Sequence, residues 1–149
     1  MISIDTNILF HGWAIRSPFH KQAIGWLSDI GQSKHVTISE LVLAEFYGLI
    51  RNPAVTTGKP LTGPEAMKVI RCYREHPRWQ LVGYPDDSRQ SHDRLWKLAG
   101  KKDFAFRRLY DVRTALTLLD HGVTRFATCN LKDFQGLGFD EIWNPLTAS

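Results

Sequence analysis

The chain opens Met1-Ile2-Ser3-Ile4-Asp5-Thr6-Asn7-Ile8-Leu9-Phe10, and the reading of this stretch decides the fold. Ile2 and Ile4 alternate with small or polar residues, as a short half-buried strand does, and apolar residues resume at Ile8. A carboxylate therefore falls at the carboxyl end of a strand. In open α/β sheets ligands bind outside that edge, because the loops leaving it line the crevice. Asp5 has two readings: an N-cap for the next helix, or the first member of a chemical site.

The bulk properties narrow the choice. A chain of 149 residues fits one domain, taken as 1–149, and can bury about two-thirds of its unfolded surface without staples. Its net charge of +4 favours an anionic partner, with nucleic acid the leading class. The two cysteines, Cys72 and Cys129, form no CxxC and accompany no histidine pair at ligand spacing, which argues against a disulfide framework or structural zinc. No basic region plus apolar core opens the chain, and no apolar run approaches the roughly 18 residues of a membrane span. The expectation is a cytoplasmic protein with no membrane association.

Downstream of Asp5, a helix can begin within Ile8 to Trp13, and the spacing of Phe19, Ala23, Ile24, Trp26 and Leu27 predicts an amphipathic helix ending near Gly31. Val36 to Ile38 reads as a strand, with Ser39 capping a helix to about Arg51. Leu41, Val42, Phe46 and Leu49 mark that helix's apolar stripe, and Glu45 falls within it. A carboxylate on a core-facing stripe needs an ion-pair partner, a proton or a metal. Thr62-x-x-Glu65 is a capping box for the next helix, Trp79 to Val82 a strand, and Ser88 to Gly100 another helix. Lys101, Lys102, Arg107, Arg108 and Arg113 then outnumber Asp103 and Asp111: a solvated stretch, or a phosphate-contacting patch. The helix from about Tyr110 to His121 carries Asp111 in its first turn, as a cap or as a site acid. Arg125 to Thr128 is a strand, Asp133 repeats the pattern of an acid just beyond a strand end, and Phe139 to Trp143 is the last strand before a short tail.

Strands alternating with helices imply a mainly parallel sheet with right-handed crossovers. Asp5 and Asp133 then sit at its carboxyl edge, and Glu45 and Asp111 lie early on helices leaving that edge. Clustered carboxylates repel one another, and the usual remedies are shared protons or divalent cations. An all-oxygen set suits Mg²⁺ or Mn²⁺, which activates water and steadies charge on a phosphodiester. Asn7 or Asn130 would orient water or a phosphate oxygen, while Thr6 and Thr128 would fix carboxylate rotamers.

Four segments resemble the PIN-domain ribonucleases, and among them the VapC-type toxins of toxin–antitoxin pairs. They are Ile4-Asp5-Thr6-Asn7-Ile8-Leu9, Ser39-Glu40-Leu41-Val42-Leu43-Ala44-Glu45-Phe46, Asp111 with the Ala115-to-Gly122 helix, and Ala127-Thr128-Cys129-Asn130-Leu131-Lys132-Asp133-Phe134. Arg51-Asn52-Pro53-Ala54-Val55 also looks like one VapC subgroup. The resemblance covers essentially the whole chain. It implies an α/β three-layer sandwich with a five-stranded, mainly parallel sheet, and a Mg²⁺- or Mn²⁺-dependent endoribonuclease. It also implies a homodimer inhibited by a VapB-type antitoxin. Carried over by position, Asp5, Glu45, Asp111 and Asp133 are the catalytic, metal-holding quartet, supported by Thr6, Asn7, Thr128 and Asn130. Many relatives carry small or apolar residues where Val112-Arg113-Thr114 follow Asp111, so Arg113 faces either pocket or solvent.

Three further readings stand beside this one. A PIN-like scaffold that only binds RNA or protein would lack the chemistry. Aspartyl phosphotransfer of the haloacid-dehalogenase type needs a second Asp two positions after the first, where this chain has Asn7. The aromatic segments Phe10 to Trp13 and Phe19 to Trp26 serve either a partner chain or a well-filled core.

Overall fold

The computed structural model describes residues 1–147; Ala148 and Ser149, the end of the expected tail, lie outside the described residues. Five strands, β1 (Ile2–Ile4), β2 (Val36–Ser39), β3 (Gln80–Val82), β4 (Arg125–Ala127) and β5 (Glu141–Trp143), form one sheet in the order β3-β2-β1-β4-β5. Every pairing is parallel, so the sheet is parallel throughout where the sequence implied only mainly so. The chain builds outward from β1 through β2 to β3, then returns to lay β4 on the opposite side of β1. The order of winding therefore reverses between β1 and β4, and in open parallel sheets that reversal opens a crevice at the carboxyl edge.

Among the described residues seven α-helices complete the fold: α1 (Thr6–Trp13), α2 (His20–Ile30), α3 (Glu40–Ile50), α4 (Gly63–Arg74), α5 (Ser88–Ala99), α6 (Leu109–Asp120) and α7 (Leu131–Phe134). Strand register explains how they divide. Ile4, Val36, Ile38 and Leu81 share one face and pack into a core with α1 to α4. Phe126, Val82 and Ile142 share the other, with Ala115 and Leu118 of α6 and Phe134 of α7. Leu95 of α5 meets Val112 and Leu116 of α6 outside that layer. The result is the helix–sheet–helix sandwich the sequence implied.

Local chemistry sets the helix ends. Ser39 Oγ accepts from Leu41 N–H at 3.0 Å, and the Thr62–Glu65 capping box closes in both directions at 3.3 and 3.0 Å. Gly122, at φ 80°, lets α6 turn sharply into β4, a conformation that side-chain-bearing residues rarely adopt. The aromatic segments near the N-terminus are turned inward. Phe10, Trp13, Phe19 and Trp26 pack against the core, and Trp26 meets Trp143 edge-on at 6.1 Å. They contribute to the core while remaining partly exposed, and Phe10 and Trp13 also line an open cleft.

Phe126 on β4 is fully buried and contacts Phe134 of α7 at 4.8 Å between ring centroids, edge to face. This contact seats the short helix that carries Asp133. Phe126→Ala is expected to lower unfolding stability by about 3–5 kcal/mol, whereas Thr62→Ala, which removes a cap, costs about 1 kcal/mol. Urea unfolding at pH 7 distinguishes them; equal losses would contradict the assignment of Phe126 as the keystone of this layer.

Candidate active site

The backbone places Asp5 directly in the β1–β4 crevice. Its N–H donates to Ala127 O at 2.9 Å, so the ladder between the two strands runs up to the residue itself. The side chain is only 7% exposed. One carboxylate oxygen accepts from Thr6 N–H at 2.8 Å, and the other accepts from Thr128 Oγ1 at 2.6 Å and Asn7 Nδ2 at 3.0 Å. Thr128 Oγ1 in turn accepts from Asn130 N–H at 2.9 Å, and Asn7 Oδ1 from Cys129 N–H at 3.1 Å. Asp5 thus caps α1 and is also the centre of a polar network spanning the crevice.

Of the four supporting residues, Thr128 and Thr6 act as expected. Thr128 fixes Asp5, and Thr6 donates its hydroxyl to Glu45 Oε2 at 3.0 Å. Asn7 does not stand ready to orient water, because its amide is committed to Asp5 on one side and Cys129 on the other. Asn130 serves the network through its backbone N–H, and the residue is exposed at the start of α7.

Glu45 requires a correction. The stripe that α3 buries is Val42, Leu43, Phe46 and Ile50, with Leu41 and Leu49 only half-buried, and Glu45 itself is exposed. At about 100° per residue this stripe centres well to one side of Glu45. Its carboxylate opens toward the crevice mouth rather than the core, so no buried ion pair is needed to account for it.

Asp111 is half-buried in the first turn of α6, and Asp133 half-buried in α7. The electrostatics tie the four acids together. Burial, opposed by the hydrogen bonds from Thr128 and Thr6 and reinforced by Glu45 and Asp111, holds the Asp5 carboxyl up at about 7. Burial together with Glu45 and Asp133 raises Asp111 to about 6, against the opposing charge of Arg108.

The basic residues divide. Lys101, Lys102 and Arg107 are exposed, as a phosphate-contacting surface requires. Arg108 does something different: its Nη2 donates to Asp133 O at 2.8 Å, linking α7 to the turn before α6, and its charge acts on Asp111. Its position three residues before Asp111 was the available signal, since residues i and i+3 are neighbours at a helix start. Arg113 packs back along α6, its guanidinium 5.1 Å from the Tyr110 ring centre. Arg113 thus lies against its own helix and is not among the charges acting on Asp111.

The donor set is oxygen-only and self-repelling, which fits a hard divalent cation and no softer metal. Among the described residues no three acids stand close enough to grip one ion unaided.

Strand order, crevice and acid cluster define a class: a PIN-type α/β domain with an acidic cleft at its carboxyl edge. No family model matches the chain. It is 42% identical over 148 residues to ribonuclease VapC24 of Mycobacterium tuberculosis, in strains CDC 1551 / Oshkosh and ATCC 25618 / H37Rv alike, with 99% of each chain covered. Among solved structures it resembles Mycobacterium tuberculosis VapC20, described as a sarcin-ricin loop cleaving toxin. The TM-score is 0.66 at 16% identity, covering 93% of this chain and 96% of that one. The chain belongs to the VapC ribonuclease family, and is accordingly a nuclease of the hydrolase class.

The raised Asp5 carboxyl makes stability depend on pH. Between the ordinary carboxylate value of 3.8 and about 7, the folded protein holds a proton that the unfolded chain has released. That contribution is complete below about pH 4 and lost as pH rises to 7, on the order of 3–4 kcal/mol at about 1.4 kcal/mol per tenfold change in proton affinity. In metal-free buffer, wild type is expected to lose stability relative to Asp5→Asn across this window. Comparing the two proteins cancels the opposite contributions of His11 and His76, whose imidazoles burial pushes down. Parallel stability profiles from pH 4 to 7.5 would contradict the placement of Asp5.

Proposed function

We propose that this chain is the toxin of a VapBC-type pair: a cytoplasmic, Mg²⁺- or Mn²⁺-dependent endoribonuclease whose reaction runs at Asp5, Glu45, Asp111 and Asp133. The observation that carries the reading is the Asp5 carboxyl, braced by three donors in the β1–β4 crevice and raised by its burial, with smaller contributions from the neighbouring acids Glu45 and Asp111. A purely structural carboxylate in such a place would be neutralised by a cation of the chain, and the partners of Asp5 are all neutral donors.

Each residue has a task. Thr6, Asn7 and Thr128 hold Asp5 in one rotamer, so that it presents fixed negative charge without reorganising. The Thr6 hydroxyl restrains Glu45 on the opposite wall. Asp111 and Asp133 close the cleft from α6 and α7, held in relation to each other by Arg108. Asp5, Glu45, Asp111 and Asp133 would hold a divalent ion, which when bound would supply water activation and charge stabilisation for in-line displacement at phosphorus. Arg108 offers positive charge to the phosphate under attack, and the exposed Lys101, Lys102 and Arg107 neutralise the flanking backbone. Asn130, exposed at the start of α7, is the amide available to a phosphate oxygen or the lytic water.

Partners follow from the same reading: RNA as substrate, a VapB-type antitoxin and a second copy of the chain. A cleft of about 590 Å³ between the end of α1 and the loop after α3, lined by Phe10, Trp13, Ile15, Val55 and Leu61, offers the antitoxin an apolar seat. Among the described residues no helix is long and apolar enough to cross a membrane.

Incubation of purified chain with total cellular RNA tests the proposal. Discrete fragments are expected with Mg²⁺ or Mn²⁺ and none with EDTA. Asp111→Asn should lower the rate at least ~100-fold with the fold intact, in the range typical for losing one transition-state charge contact. Uncut RNA under every condition, from folded protein free of antitoxin, would favour the inactive scaffold.

A further inference from the structure

The segment Lys101-Lys102-Asp103-Phe104-Ala105-Phe106-Arg107-Arg108-Leu109-Tyr110 runs straight into Asp111, and it interleaves cations with aromatic rings. Two of those rings face solvent: Phe106 is 85% exposed and Tyr110 67%. Neither belongs to a core cluster, so folding gives no reason for a phenylalanine at the tip of the 3-10 turn Phe106–Arg108. The same segment borders a cavity of about 210 Å³, lined by Lys101, Asp103, Phe104 and Arg108 together with the apolar Leu98, Val112 and Leu137. It is smaller than the roughly 300–1,000 Å³ of sites for drug-sized ligands.

The Arg108 guanidinium is well fixed. It lies 5.6 Å from the centre of the Phe104 ring, and its Nη2 is held by Asp133 O at 2.8 Å. Its Nε is buried and, among the described residues, without a hydrogen-bond partner. Arg108 lines this cavity and also holds the Asp133 carbonyl, so one side chain connects the cavity to α7.

We propose that Phe106, Tyr110 and the Phe104–Arg108 pair form a stacking platform for unpaired bases of the RNA strand whose phosphate is cut at the acids. The inference rests on the nuclease reading above and adds the surface that holds the bases beside the scissile bond. Every base has a π-face, so aromatic rings and guanidinium planes grip single strands whatever their sequence. Charge complementarity selects this occupant. Lys101, Lys102 and Arg107 are exposed in the same segment as the rings, and a polyanion lying along it neutralises those cations as an apolar face of a second protein would not.

The test is fluorescence anisotropy with Asp5→Asn protein and two end-labelled RNAs of about ten nucleotides, oligouridylate and its fully abasic counterpart of equal charge. The abasic strand is expected to bind about tenfold more weakly. Phe106→Ala and Tyr110→Ala should each weaken oligouridylate binding while leaving the abasic strand unaffected, and Arg107→Ala should weaken both. The exposure of Phe106 and Tyr110 makes both alanine variants compatible with folding. Equal affinity for the two strands, no binding of either, or variants that lose both equally would overturn the platform. So would a change of oligomeric state on Phe106→Ala, seen by light scattering, since the rings would then belong to a contact between copies. Cutting of the probe by Asp5→Asn would instead overturn the nuclease assignment on which the platform rests.

Discussion

The carboxylate of Asp5 is gripped by three hydrogen-bond donors and opposed by its own burial and by neighbouring acids, and this tension governs the rest of the site. Both oxygens act as acceptors, which an ionised carboxylate satisfies and a protonated acid or an amide satisfies only in part. The network is thus shaped for the charged form, while desolvation and the negative charges of Glu45 and Asp111 favour the neutral one. The cation proposed to bind among the acids would resolve the conflict, since its charge would favour the ionised carboxylate. Resting alone, the protein carries an unstable arrangement at neutral pH, as sites built for function often do.

The fold supplies this arrangement through topology. Because winding reverses between β1 and β4, the chain ends of two adjacent strands diverge, and Asp5 and Thr128 face one another across the gap. Parallel strands then send helices back from the same edge, so that α3 and α6 begin near the crevice and carry Glu45 and Asp111 to it. The short helix α7 has too few residues to hold a position unaided. Phe134 anchors it against Phe126, and Arg108 ties its backbone to the turn before α6. Asp133 is placed by these two contacts rather than by local propensity.

Much of this was legible in the residues themselves. Alternation at Ile2 and Ile4, the Thr62–Glu65 capping box and the glycine after α6 are local signals, and each marks the element found there. Asp5, Asp111 and Asp133 drew attention because each stands at a strand end or in the first turn of a helix. Glu45 was read on the wrong face for a plain reason: α3 is apolar on more than half its circumference, so periodicity alone leaves the phase of its buried stripe undetermined until β1 and α1 are in place. The fates of Asn7 and Arg108 depend on partners 122 and 25 positions away in the chain, Cys129 and Asp133. Contacts that long-ranged leave no spacing to read. The exposure of Phe106 was hidden likewise, since an aromatic residue in a sequence reads first as core.

The central claim is that cation and proton compete for the same carboxylates. Calorimetric titration of the metal-free protein with Mn²⁺, in two buffers of different ionisation enthalpy near pH 6.5, tests it most directly. With Asp5 at about 7 and Asp111 at about 6, binding should expel protons, and affinity should rise as pH increases through that interval. Binding with no proton release and an affinity indifferent to pH, or the same affinity in Asp111→Asn, would contradict the account.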